Sequence, residues 1–229
     1  MMTQGSHGSD LWLLLAVVLV SSPVLSASGS GTDRDDRYRV DTGFRGGVFG
    51  YSDNPAGDIR MVACNFRRPI DAQWFTAISL DFILFECDNM PSILGIHTAE
   101  EEGSSEGPGE MTLLVVSLGR TFMVGPDWFR PYMRFGLGVG VVDARNTKGT
   151  SREGVSFTVE TDADDDIEIV HSTEVGSRFT CGEAWYLEAG ARCDYHFADW
   201  QITDLESQRT ARIDRYTAYG MFVGFGKGL

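Results

Sequence analysis

From residue 38 onward, apolar positions recur every second residue. That is the period of a β-strand, whose successive side chains point to opposite faces. The stretch 130–145 is the clearest. Met133, Phe135, Leu137, Val139 and Val141 share one face, and Arg134, Gly136, Gly138 and Gly140 share the other. The same alternation runs through 38–51, where Val40, Phe44 and Val48 oppose Arg39, Asp41, Gly43, Arg45 and Gly47. It recurs in 74–87, with Ile78, Leu80, Phe82 and Leu84 against Ala77, Ser79 and Asp81. In 111–124, Leu114, Val116 and Leu118 oppose Ser117 and Gly119, but Leu113 and Val115 blur the alternation. In 167–181, Val175 and Phe179 oppose Glu174, Gly176 and Arg178. In 185–197, Leu187, Ala189, Ala191, Cys193 and Tyr195 oppose Glu188, Gly190, Arg192, Asp194 and His196. In 213–226, Tyr219, Met221, Val223 and Phe225 oppose Ala218, Gly220 and Gly224. The stretch 58–68 is ambiguous: either Ile59, Met61 and Ala63 or Val62, Cys64 and Phe66 form its apolar face.

These stretches predict eight strands in an all-β fold, a closed antiparallel barrel. The connections alternate in length. Residues 68–73, 125–129 and 182–184 are short links; 88–110, 146–166 and 198–212 are long, and 52–57 is intermediate. The third loop carries its own strand signal at 155–159, and 167–170 also reads as strand. Short turns at one end and long loops at the other are characteristic of transmembrane barrels, with the short side and both termini facing the periplasm. Aromatic residues near proposed strand ends (Tyr38, Tyr51, Trp74, Trp128, Tyr132, Trp185, Phe197 and Trp200) suit the headgroup level of a bilayer.

A membrane barrel turns its apolar face to lipid and its polar face inward. The face opposite the apolar one carries Arg39, Asp41, Arg45, Asp81, Arg134, Glu174, Arg178, Glu188, Arg192 and Asp194, in equal numbers of acids and bases. Eight strands leave an interior just wide enough for side chains to fill. Buried charges must be paired and hydrogen-bonded, so this set predicts a charge-paired plug and no large open channel.

The remaining sequence bounds the setting. Residues 11–20 (LWLLLAVVLV) form an apolar run too short to cross a bilayer but suited to a secretory signal. We read 1–27 as signal peptide, 28–37 as a leader and 38–229 as the barrel domain. The region before the apolar run has no Lys or Arg, and its one formally charged side chain is Asp10. The net charge of −14 opposes binding to nucleic acid. Two acidic runs, 100–110 and 160–166, read as solvated loops, and contact with divalent cations or lipopolysaccharide is the functional expectation there. The run from Asp162 starts like a calcium loop but has Ile167 in place of the glycine and Thr173 in place of the closing Glu. Cys64, Cys87, Cys181 and Cys193 match no zinc spacing, and the hairpin registers place neither Cys64 opposite Cys87 nor Cys181 opposite Cys193. No cofactor is expected.

Phe129-Arg130-Pro131-Tyr132 with the following Gly136-Leu137-Gly138-Val139-Gly140 resembles the central strand of small bacterial outer-membrane β-barrel proteins. The stretch from Glu188 to Tyr195 resembles their penultimate strand, and that from Tyr219 to Phe225 their last, which the barrel assembly machinery reads. The ending departs from theirs, because Gly226-Lys227-Gly228-Leu229 follows Phe225. The resemblance implies an outer-membrane location, with lipid, lipopolysaccharide and the assembly machinery as partners. The strand layout is also similar to that of lipid A deacylases, whose penultimate strand carries His-x-Ser-Asn. The corresponding stretch here is His196-Phe197-Ala198-Asp199, without the serine nucleophile. His171 and Ser172 are adjacent, so they point to opposite faces of a strand. A soluble lipocalin-like barrel is the remaining alternative, but the Gly-x-Trp start of that family is absent. The sequence thus favours a non-enzymatic, structural or surface-exposed barrel.

Overall fold

In the computed structural model, the described residues are 40–52, 59–87, 90–97, 104–105, 108–163, 167–182 and 184–228. Among these described residues are eleven strands: β1 (Asp41–Ser52), β2 (Ile59–Pro69), β3 (Trp74–Phe85), β4 (Ser104–Ser105), β5 (Gly109–Thr121), β6 (Phe129–Asp143), β7 (Thr147–Thr150), β8 (Ser156–Ala163), β9 (Ile167–Cys181), β10 (Trp185–Asp204) and β11 (Thr210–Gly228). One helical turn, α1 (Met90–Ile93), follows β3. Eight of the strands pair antiparallel in the order β1-β2-β3-β5-β6-β9-β10-β11, and β11 pairs back to β1. The sheet is therefore a closed barrel. Asp41 lies opposite Gly228, so the first strand begins at the short-turn end where the last one finishes.

The polarity of the barrel is inverted relative to a soluble one. Val48, Leu137 and Met221 are 63%, 66% and 77% exposed, whereas Arg45, Arg134, Glu174 and Arg192 are each 5% exposed or less. A belt of exposed aliphatic and aromatic side chains around a charged interior would be unstable in water and is what hydrocarbon requires. This excludes the soluble lipocalin-like alternative. It also fixes the register of β2: Ile59, Met61 and Ala63 are buried in the lumen, while Val62 and Phe66 face out.

Several predicted boundaries shift. The long loop expected over 198–212 is mostly strand. β10 runs to Asp204 and β11 starts at Thr210, with Trp200, Ile202 and Asp204 buried on one face. Its outward residues Asp199, Gln201 and Thr203 are polar because this part of the strand stands beyond the lipid-facing belt, and that polarity reads as loop. β8 replaces β9 as the neighbour of β10 from Trp200 onward, and β7 and β4 extend this upper sheet. Within the region expected to be an unstructured loop at 88–110 lie α1, β4 and the first residues of β5. Asp162 belongs to β8, a geometry incompatible with a calcium-binding loop.

The upper elements cover the long-loop mouth of the barrel. Phe85, Met90, Leu113, Phe157, Val159, Trp200 and Ile202 form one buried apolar cluster that continues into the lumen through Phe49, Met61 and Met111. The blurred alternation at Leu113 and Val115 has this cause: here the lumen face of β5 packs against apolar side chains instead of charges. Tyr132 and Trp200, expected at the headgroup level, are each 1% exposed and point inward. Trp74, Trp128 and Trp185 are exposed near the short-turn end. Tyr38 lies outside the described residues, as does the side chain of Tyr51.

Lumen glycines make room for these inward rings. Phe75 pairs across from Gly119, and a Cβ on Gly119 would stand 2.2 Å from the Phe75 ring. Phe85 sits on Gly109 in the same way, and Tyr132 on Gly176. The glycine-rich strands are thus one half of a set of cross-strand glycine–aromatic pairs.

The short turns have local causes. Asp71 Oδ1 accepts the backbone N–H groups of Gln73 and Trp74, each at 2.7 Å, and these bonds hold its carboxyl below the usual carboxylate range. Gly125 and Gly182 take φ of 81° and 72°, where a side chain would be strained. At the opposite end, Asp204 accepts N–H groups from Ser207 (3.1 Å), Glu206 (3.3 Å) and Thr158 (3.3 Å). Burial works against the Asp204 charge, but these bonds and that from the Ser207 hydroxyl outweigh it and lower its pKa.

Two measurements check this description. Gly119→Val is expected to abolish the compact, heat-modifiable band in gel electrophoresis, and adding Phe75→Ala to restore it by vacating the ring. Because the Asp204 pKa is lowered on folding, its contribution is present above the ordinary carboxylate pKa and lost as pH falls through the depressed value. The protection of the Glu206 and Ser207 amides, taken relative to the intrinsic exchange rate at each pH, should therefore fall in acid below about pH 4, and Asp204→Ala should remove that acid-specific step.

Candidate functional site

Among the described residues, the largest concentration of chemistry is the lumen itself. It is arranged in layers because residues two apart on a strand share a face. At its centre Arg45, from β1, makes a two-pronged contact with Glu188 of β10, Nη2 to Oε1 at 2.7 Å and Nε to Oε2 at 3.2 Å. Its Nη1 donates to Glu174 of β9 at 3.0 Å. Glu174 also accepts from Arg134 Nη2 at 2.5 Å and from the Tyr132 hydroxyl at 2.7 Å. Arg134 Nη1 donates to Asn65 Oδ1 at 2.9 Å, which ties β6 to β2 across the lumen. The Arg45 guanidinium lies 4.8 Å from the Phe222 ring centroid.

Toward the short-turn end, Arg178 pairs with Asp41 and stacks 3.8 Å over the Tyr186 ring. Arg67 donates to Thr121 Oγ1 at 2.6 Å and lies 3.4 Å over Phe75. Toward the long-loop end, Arg192 bridges two carboxylates, with Nη1 to Asp81 at 2.5 Å and Nε to Asp194 at 2.8 Å. Ser79 donates to the other oxygen of Asp81. Above them, His196 Nδ1 and the Tyr216 hydroxyl each lie 2.8 Å from Glu168 Oε2, and the His196 and Tyr216 rings stack at 4.3 Å.

Nine of the ten residues assigned to the lumen from the sequence are thus placed in it: Asp41, Arg45, Asp81, Arg134, Glu174, Arg178, Glu188, Arg192 and Asp194. Arg39 lies outside the described residues. The sequence reading did not include Asn65, Arg67, Tyr132, Glu168, Tyr186 and Tyr216. Glu168 was discoverable, because it lies an even number of residues from Glu174 on the same strand. Arg67 and Asn65 were not, because the face of β2 was ambiguous.

The chemistry available to this arrangement is narrow. His171 is exposed and Ser172 buried, on opposite faces of β9. Two residues past His196 stands Ala198, which has no hydroxyl. No disulfide joins the four cysteines. Among the described residues no three His, Cys, Asp or Glu side chains converge as a metal site.

No family model matches the chain, and no curated protein matches it. In fold it is similar to the outer membrane protein OprG from Pseudomonas aeruginosa, at 9% identity with TM-score 0.48 over 83% of this chain and 94% of that one. It is also similar to the outer membrane enzyme PagL (11% identity, TM-score 0.47, 80% and 97% covered). A third neighbour is the attachment invasion locus protein Ail of Yersinia pestis (14% identity, TM-score 0.40, 83% and 97% covered).

Removing one partner of a buried charge cluster leaves the others without compensation, at a cost of about 3–5 kcal/mol. Glu174→Gln should lower stability by that order, read as a fall in the urea midpoint of the detergent-folded barrel. Val175→Ala, one residue along and facing out, should change it far less. Taken on its own geometry, the chain is an eight-stranded transmembrane β-barrel, the architecture of the small outer-membrane barrels.

Proposed function

We propose that this protein is a structural, surface-exposed barrel of a bacterial outer membrane, with no catalytic role. The observation that carries the reading is the double closure of its lumen. Paired charges fill the middle, and the apolar cluster under β7, β8 and α1 fills the upper part. A barrel closed in this way is a scaffold, and what it offers to its surroundings is its rim. The absence of a hydroxyl at Ala198 argues against acyl-transfer chemistry beside His196. The short-turn end faces the periplasm in this reading, and the upper sheet and acidic loops face outward, toward lipopolysaccharide and the divalent cations that accompany it. Insertion proceeds through the barrel assembly machinery acting on the last strand.

The test is conductance with location. After cell fractionation the protein should be found with the outer membrane and shift in gel mobility on heating. Reconstituted in planar bilayers, it should show no stable open-channel current. Sustained ion current through the unmodified protein would overturn the closed-lumen reading, and hydrolysis of lipid A by the purified protein would overturn the non-catalytic one.

A further inference from the structure

Among the described residues, the charges of the lumen are not balanced layer by layer. Around Arg45 and the short-turn end, four guanidiniums (Arg45, Arg67, Arg134 and Arg178) face three carboxylates (Asp41, Glu174 and Glu188). Among the described residues nearer the long-loop end, three carboxylates (Asp81, Asp194 and Glu168) face one guanidinium, Arg192, and the imidazole of His196. Each is 3% exposed or less. An excess of buried negative charge calls for a cation.

The same level contains a small cavity with room for about one water-sized sphere, lined by His196, Asp194, Met61 and Met111 among apolar neighbours. Asp194 and His196 are two apart on β10 and project to the same side. Asp194 uses Oδ1 to accept from Arg192, which leaves Oδ2 for the cavity. His196 is held through Nδ1 by Glu168, which leaves Nε2. A carboxylate on the far nitrogen is how proteins orient a metal-binding imidazole. The thioether of Met61 already faces this polar layer, with its sulfur 3.5 Å from Arg192 Nη1.

We propose that this cavity is a binding site for a single soft monovalent metal ion, of the copper(I) class, with Met61, Met111 and His196 as ligands and Asp194 supplying charge. Thioethers select such ions over the hard divalent cations. One positive charge offsets part of the deficit around Arg192.

The experiment uses the full chain folded in detergent, with Cys64, Cys181 and Cys193 alkylated so that those thiols do not compete. Copper(I) is titrated anaerobically against a chromophoric copper(I) chelator. The expected result is one ion per chain, with affinity falling at least tenfold in Met61→Leu and in Met111→Leu, both of which should retain the heat-modifiable band. X-ray absorption should report sulfur together with nitrogen scatterers in the unmodified protein and fewer sulfurs in each variant. Equal binding in the two leucine variants would assign the copper to Cys87 and overturn the site. So would zinc binding that outcompetes copper(I). If no ion binds and NMR finds an imidazolium at His196, a proton and a water occupy the level instead, and the proposal fails.

Discussion

A carboxylate inside a barrel surrounded by hydrocarbon has little water to fall back on, and Glu174 is where this protein meets that constraint most severely. Its two oxygens collect Arg45, Arg134 and Tyr132, three side chains from two other strands, β1 and β6. Through Arg45 the same cluster reaches Glu188, and through Arg134 it reaches Asn65. Strands β1, β2, β6, β9 and β10 are therefore joined across the lumen by one hydrogen-bonded unit, in addition to the ladder around its wall. A one-residue slip of any of these strands would turn its inward charge to lipid and leave the others unpaired, so the cluster also enforces register.

The glycine–aromatic pairs answer the second demand of a narrow lumen, which is volume. An eight-stranded interior cannot hold a large ring from every inward position. Placing Phe75 on Gly119, Phe85 on Gly109 and Tyr132 on Gly176 lets each ring occupy the space that a Cβ on the neighbouring strand would fill. The rings then serve the charges. Phe75 receives the Arg67 guanidinium on its face, Phe222 that of Arg45, and Tyr186 that of Arg178. Such contacts lower the cost of keeping a cation away from water without requiring an acid for each one.

Much of this was legible in the sequence because a strand's period is two and the contrast between its faces was strong. Arg134 among glycines, opposite Phe135 and Leu137, could point only one way in a membrane barrel. Where both faces were apolar the signal failed. Ile59, Met61 and Ala63 compete with Val62, Cys64 and Phe66 because the lumen is apolar at the level of Met61. The continuation of β10 through Asp199, Gln201 and Thr203 was missed for the opposite reason: a strand standing in solvent has a polar outer face, and only its buried face (Trp200, Ile202 and Asp204) distinguishes it from a loop. The pairing of His196 with Glu168 lay beyond sequence reasoning, since it joins two strands at a depth that only the register fixes.

The two closures of the lumen rest on different physics, and this bears on how the molecule can change. The charge cluster is directional. Its members are held by geometry, and loss of one leaves others uncompensated. The apolar cluster beneath the upper sheet is non-directional, and a polar link beside it is the Thr147 hydroxyl on the Cys87 carbonyl at 3.0 Å. Movement of the upper sheet would therefore expose Trp200 and its neighbours while leaving the Glu174 cluster closed. The layer between them, with Arg192, Asp194 and His196, is the one place where apolar packing and buried charge adjoin, and there the acids outnumber the bases.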